Sequence, residues 1–279
     1  MTLPSGKGLN VARAALALGS EIMTTGLVAG QCGQWIRALL EKEGIPERFI
    51  DLPDGESRIS TIIVDARNGQ TTVVNDLGPT APPGTWPEIR LQLGKAVAGY
   101  PWVALAGSSL PGLPSSVYAD LCYDIQARGQ RVCLDTRDQW LACALSAQPY
   151  LVKCNQYEAA RVLGRALNTP EQARDAVRGW MDRGVKRVIV TLGRDGAVAA
   201  EGEAAWHIEA PSVRALCPIG SGDAMMAGLI VALDREKPLP KAVQYGVALG
   251  AANTLVPGSG RCDLDILPRL LCRTTVRPL

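Results

Sequence analysis

Between Trp86 and Thr191 the chain alternates, at nearly constant spacing, between short apolar runs and longer stretches with helical patterning. Trp102–Ala106, Arg131–Asp135, Tyr150–Lys153 and Arg187–Thr191 are predicted strands. The intervening segments, Trp86 to about Tyr100, Ser116–Arg128, a stretch near Trp140 and Pro170–Arg183, are predicted helices. Strands alternating with helices at this spacing indicate a parallel sheet covered on both faces, so the fold class is α/β.

The flanking segments extend this pattern. An alanine-rich helix over Val11–Leu18 stops at Gly19, a strand is expected over Ile22–Leu27, and an amphipathic helix over Gln34–Lys42 stops at Gly44. Two β-branched runs, Ile59–Val64 and Thr71–Asn75, flank Asp65–Gln70, where Asn68-Gly69 is a hairpin signal. Such a hairpin stands apart from a parallel sheet. After Gly193 come two short strands, Ala197–Ala200 and Ala205–Ile208, then an apolar helix over Gly222–Leu233 and a further helix over Lys241–Asn253. There is no internal repeat and no long linker. The expectation is one domain over residues 1–279 with a small β appendage at about residues 50–78.

Composition narrows the chemistry. Of 279 residues 47% are apolar and 20% charged, with a formal net charge of +2. The charges are well mixed, without the basic stripe that binding a phosphate backbone requires, so nucleic acid is not an expected partner. No charged-then-apolar leader opens the chain, and its longest oily stretch, Ala224–Leu233, is too short to span a bilayer. A cytoplasmic protein without a membrane partner is expected. The eight cysteines are scattered, with no Cys-x-x-Cys pair, and read as reduced thiols. A single histidine, His207, disfavours His-dependent triads and His-rich metal sites.

Two glycine-rich turns lead into helices. Pro218-Ile219-Gly220-Ser221-Gly222-Asp223-Ala224-Met225 brings backbone amides together at a helix N-terminus, a cradle for a phosphate or oxyanion. Asp223 falls in the first helical turn, where it could accept a proton from a hydroxyl attacking a phosphoryl group, or simply favour the helix start. Pro4-Ser5-Gly6-Lys7-Gly8-Leu9-Asn10 is the second turn. It has neither dinucleotide-fold nor P-loop spacing.

Together the two turns closely resemble the signatures of the ribokinase-like carbohydrate kinases, also called the phosphofructokinase B family. The first appears as Ser5–Ala14 and the second as Gly220–Asp223. Between them, in the family's order, lie Arg58, Asn75–Pro79, Gly107-Ser108 with Pro111-Gly112, Asn155–Glu158 and Thr191–Gly196. The resemblance implies a three-layer sandwich with a mostly parallel sheet and a small β lid. It implies Asp223 as the base and the amides of Gly220, Ser221 and Gly222 as the anion hole. Lys7, Gly8, Asn10, Arg58 and Ser108 are then expected at the substrate, and Lys153, Asn155, Thr191, Gly193, Gly196 and Asn253 at ATP. Asn155 and Glu158 would organise Mg²⁺ through water, as that ion's retained hydration allows.

The Asn10–Ala14 and Asn75–Pro79 runs look most like the branch containing 1-phosphofructokinases and tagatose-6-phosphate kinases. The resemblance thus implies phosphoryl transfer from ATP to fructose 1-phosphate, fructose 6-phosphate or tagatose 6-phosphate. A ribose or nucleoside kinase of the same fold is the alternative. Family lids often pair, so a homodimer through the lid is a further implication. Two departures stand out: the first signature begins at the very start of the chain, without the family's preceding strand and its acidic residue, and Ser5 replaces the signature's first glycine. The first departure raises a third expectation, a catalytically impaired protein that binds sugar phosphate or nucleotide.

Overall fold

The computed structural model describes residues 1–64 and 71–279. In chain order the elements are α1 (Lys7–Ala17), β1 (Leu27–Val28), α2 (Gly30–Glu43), β2 (Ile50–Asp51), β3 (Ser60–Val64), β4 (Thr71–Asn75), α3 (Trp86–Ala96) and β5 (Trp102–Ala106). There follow α4 (Val117–Gln126), β6 (Arg131–Asp135), α5 (Asp138–Ala144), β7 (Leu151–Asn155), α6 (Gln156–Leu163), α7 (Pro170–Met181), β8 (Arg187–Thr191), β9 (Ala197–Glu201) and β10 (Ala204–Glu209). The chain closes with α8 (Ser221–Asp234), α9 (Leu239–Thr254), α10 (Leu267–Cys272) and β11 (Thr275–Pro278).

A seven-stranded sheet runs β11-β10-β9-β8-β7-β6-β5. Strands β5 to β8 are mutually parallel, as their helical connections require, and β8 to β11 pair antiparallel. Successive residues of each central strand enter opposite cores. Cys133, Leu151, Ile189 and Ala199 pack with α1, α8, α9 and α10, whereas Leu134, Val152, Val188 and Val198 pack with α4 to α7. This gives the three layers.

The register sets the site. Ala106 lies beside Asp135 and Asn155 beside Thr191, so the carboxyl ends of the parallel strands form one polar rim. Ligands bind at such rims in open α/β sheets.

Strands β3 and β4 pair antiparallel as a separate two-stranded sheet, from Ser60 opposite Asn75 to Val64 opposite Thr71. The Asn68-Gly69 turn lies outside the described residues. The Ile22–Leu27 strand shrinks to Leu27–Val28, paired with β2, plus one bridge at Thr24. Helix α3 stops at Ala96, short of Tyr100, because Val97 and Ala98 turn the chain back toward β5. Sequence patterning did not reveal β2, α10 or β11. Among the described residues no cysteine forms a disulfide, and no helix is long and apolar enough to cross a membrane. His207 lies half-buried on β10, its ring Nε2 2.8 Å from the Asp195 carbonyl.

Candidate active site

Gly220 occupies the N-cap of α8 with φ 86°. A Cβ there would fall 2.8 Å from both the Gly260 nitrogen and the Ser259 Cα, so backbone lies directly on backbone and only glycine fits. The Ala224 amide donates to the Gly220 carbonyl and the Ser221 amide to that of Pro218 at 3.2 Å. Among the described residues the amides of Gly220, Gly222 and Asp223 have no backbone acceptor. They form an open cluster of donors at the positive end of the helix. Helix α1, packed against α8, begins in the same way. Its first bond runs from the Asn10 amide to the Gly6 carbonyl, which leaves the amides of Lys7, Gly8 and Leu9 open.

Asp223 sits between these two helix starts, 7% exposed. One carboxylate oxygen accepts a hydrogen bond from Asn10 Nδ2 at 2.7 Å. Burial, followed by the charge of Asp135, pushes its carboxyl up from 3.8 to about 6, against the Asn10 hydrogen bond and the charges of Lys153 and Lys7. A carboxylate of this kind is ionised at neutral pH yet basic enough to take a proton as a hydroxyl attacks.

Asp135, at the end of β6 and 1% exposed, ties the rim together. Its two oxygens accept from Lys7 Nζ at 2.7 Å and Lys153 Nζ at 2.6 Å. Burial alone would raise its carboxyl, but the lysine charges, Lys153 before Lys7, hold it below the usual carboxylate range. For Lys7 burial works toward neutrality, and the carboxylates of Asp135 and Glu158 overcome it and raise the ammonium above its ordinary value. Lys7 Nζ also donates to Glu158 Oε1 at 3.1 Å. A Cβ on Gly222 would stand 3.5 Å from Lys153 Nζ, so this second ammonium faces the open amides.

Asn155 caps α6. Its Oδ1 accepts from the amides of Tyr157 and Glu158, while Glu158 Oε2 accepts from the Asn155 amide at 2.9 Å. This reciprocal box explains the Asn-x-x-Glu spacing locally. Ser108 is half-buried and follows Gly107, whose amide donates to the Asp135 carbonyl and whose Cα faces Lys7. The structure thus brings Lys7, Gly8, Asn10, Ser108, Lys153, Asn155, Glu158 and the Gly220–Asp223 turn to one rim.

The other predicted residues lie on three further segments. Arg58 is exposed at the foot of β3, its side-chain carbons against Gly78. Gly193 and Gly196 form the β8–β9 turn in left-handed conformations, two and five residues past Thr191. Asn253 is fully buried, and its amide donates to the carbonyls of Gly258 and Arg261. It has no exposed face, and what it fixes is the loop that lies against Gly220.

Comparison with known proteins accords with this geometry. The model of the pfkB family carbohydrate kinases matches residues 2–266. The chain belongs to the pfkB family of carbohydrate kinases. This pfkB-family kinase is 34% identical to the 1-phosphofructokinase of Rhodobacter capsulatus over 255 residues, 90% of this chain and 80% of the relative. It is 29% identical to the ATP-dependent 6-phosphofructokinase isozyme 2 of Escherichia coli K12, over 94% of this chain and 85% of the relative. The crystal structure of Escherichia coli phosphofructokinase-2 in complex with potassium superposes with a TM-score of 0.88 at 27% identity, covering 96% of this chain and 87% of that one.

Within this pfkB-family kinase, two residues of the rim escaped sequence reasoning. Asp135 ends a correctly predicted strand, and an acidic residue at the carboxyl end of a parallel strand was the available signal. Arg13 belongs to the first signature but lies buried on the core side of α1. As for Mg²⁺, the described residues hold no group of three or more His, Cys, Asp or Glu able to enclose a metal. Asn155 Oδ1 and both Glu158 oxygens already accept hydrogen bonds. Such donors suit an ion that keeps its water shell and its phosphate ligands, which is the habit of Mg²⁺.

Proposed function

We propose that this kinase transfers the γ-phosphoryl group of ATP to a hydroxyl of a sugar phosphate of the fructose 1-phosphate, fructose 6-phosphate or tagatose 6-phosphate type. The observation that carries this reading is Asp223, raised to about 6 and set between two helix starts whose amides are open. Asp223 takes the proton of the attacking hydroxyl. The amides of Gly220, Gly222 and Asp223, with that of Ser221 once its long turn bond yields, receive the oxygens of the transferring group. Lys153, facing Gly222, adds positive charge where phosphate charge gathers.

Lys7, Gly8 and Asn10, at the start of α1, and Ser108 line the sugar side. Arg58, at the lid foot, takes the phosphate already on the sugar, for which its planar fork is suited. Thr191, Gly193 and Gly196 flank the ATP phosphates, and Asn253 shapes that end of the site through the Gly258–Arg261 loop. Glu158 and Asn155 would hold Mg²⁺ through water. Held there, Mg²⁺ would supply positive charge to offset that of the phosphates.

The kinase domain spans the whole chain, with residues 50–78 as its lid. Ile62, Ile63, Val73 and Val74 on the two-stranded sheet are between 41% and 57% exposed. Apolar exposure of this kind supports pairing of lids in a homodimer. The need for ATP and the absence of disulfides among the described residues favour action in the cytoplasm.

A coupled ADP-release assay over fructose 1-phosphate, fructose 6-phosphate, tagatose 6-phosphate and ribose tests the proposal. Turnover on a phosphorylated hexose above that on ribose is expected. ADP release that no sugar stimulates would sink it.

A further inference from the structure

The geometry points to a second tier beneath the base: Ser5 and Arg13 are positioning residues that lock the Asn10 amide so that its NH₂ group faces Asp223. This inference rests on the proposed reading of Asp223 as base. Asn10 is 4% exposed, and its side chain touches three partners. Its Oδ1 accepts from Ser5 Oγ at 3.1 Å and from Arg13 Nη1 at 3.3 Å, and its Nδ2 donates to Asp223 Oδ2 at 2.7 Å. A guanidinium can only donate and a carboxylate can only accept, so one orientation of the amide satisfies both. Turned by 180°, Asn10 would set NH₂ against Arg13 and oxygen against Asp223.

Arg13 is itself held from several sides. It is 8% exposed; Nη1 donates to the Ser259 carbonyl at 2.8 Å, Nη2 to the Pro4 carbonyl at 2.5 Å and Nε to Glu43 at 2.8 Å. Ser259 and Gly260 are the residues lying on Gly220, and a Cβ on Gly260 would fall 2.5 Å from the Asn10 carbonyl oxygen. One buried guanidinium therefore fixes both the donor to Asp223 and the loop behind the open amides. Ser5, where the resembled signature carries glycine, adds a hydroxyl that glycine cannot supply.

The consequence is a shift in the ionisation of Asp223. The other charged groups facing it, Asp135 from β6, Lys153 from β7 and Lys7 from α1, are tied to one another and to Glu158 by bonds that involve neither Ser5 nor Arg13. Only the donor to the carboxylate is loosened, which disfavours the charged form.

The test is the pH profile of kcat for wild type, Ser5→Ala, Ser5→Thr and Arg13→Lys on the best phosphorylated sugar. Ser5→Ala is expected to move the acid limb up by about half a pH unit, the effect of losing one neutral orienting hydrogen bond. Turnover would then be about two-fold lower near pH 6 and almost unchanged near pH 8. Ser5→Thr restores the wild-type limb, and Arg13→Lys moves it further up. Ser5 is exposed, so its variants keep the fold even if Arg13→Lys does not. A Ser5→Ala profile superimposable on wild type, or one lowered equally at every pH, overturns the inference.

A readout without turnover separates this inference from the proposed function. The thermal-stability difference between wild type and Asp223→Asn, followed against pH, changes from the unfolded carboxyl value upward and levels off at the folded Asp223 ionisation. The same difference measured in the Ser5→Ala background should level off about half a unit higher. If no sugar supports turnover but this levelling point moves, the proposed function fails and the positioning roles stand. An unmoved levelling point removes the positioning roles whatever the activity.

Discussion

Replacing Asp223 by Asn should make the protein more stable and nearly inactive, and the gain in stability should depend on pH. The folded carboxyl is raised from 3.8 to about 6. A shift of about two units corresponds to about 3 kcal/mol of preference for the protonated form in the folded state. Because the folded value lies above the unfolded one, this stabilisation is fully present below pH 3.8 and is lost as pH rises through about 6. Above that point the native enzyme carries an ionised, 7% exposed carboxylate beside Asp135, which Asn removes. The stability difference, variant minus wild type, should therefore rise by about 3 kcal/mol between pH 4 and pH 8 and then level off. Urea unfolding of both proteins at half-unit pH steps measures it directly, and in thermal scans the change corresponds to about 5–10 °C. Turnover in the variant should fall at least ~10²-fold with nucleotide affinity preserved. A difference that is flat or falling across this range would refute the assignment of a strained base, whatever the loss of activity.

Three further outcomes follow from the same geometry. Arg58→Ala should raise KM for phosphorylated sugars at least ~10-fold, the loss of a charge-assisted pair, while KM for ATP stays within about two-fold in steady-state assays. Asp135→Asn leaves Lys7 and Lys153 without their shared buried counter-charge and should lower stability by about 3 kcal/mol or more in urea titrations, with kcat falling as well. Gly220→Ala combines a left-handed backbone with a Cβ 2.8 Å from the Gly260 nitrogen. It should destabilise by about 2 kcal/mol or more and abolish turnover, seen as a lower Tm and no ADP release.

What was legible in the sequence divides along physical lines. Strands β5, β6 and β8 match their predicted bounds because each is a short apolar run whose neighbours in chain and in space agree. Helix α8 was plain because an uninterrupted oily stretch followed a turn that only glycines permit. Strand β11 was hidden because Thr275–Pro278 contains an arginine and a proline, and it exists only by pairing with β10 at the sheet edge. Asp135 apart, residues of the rim could be named one at a time, but not their pairings. Asp135 meets lysines 128 and 18 positions away, and nothing local in the chain announces either contact. The Asn155–Glu158 pair shows the reverse: its spacing is explained within four residues by a helix cap, before any ligand is considered.

The division of the molecule into a seven-stranded sheet and a separate two-stranded one bears on how such enzymes diversify. Asp223, Asn10, Asp135 and Lys153 stand on elements packed into the large sheet's cores, where each tolerates little change. Arg58 stands at the foot of a ribbon whose strands are almost wholly solvent-exposed. On the reading proposed above, the contact to the phosphate already on the sugar and the transfer of the new one occupy stretches of chain that can mutate almost independently. Transplanting residues 50–78 between related kinases should alter the preference for a phosphorylated sugar and leave the chemistry running.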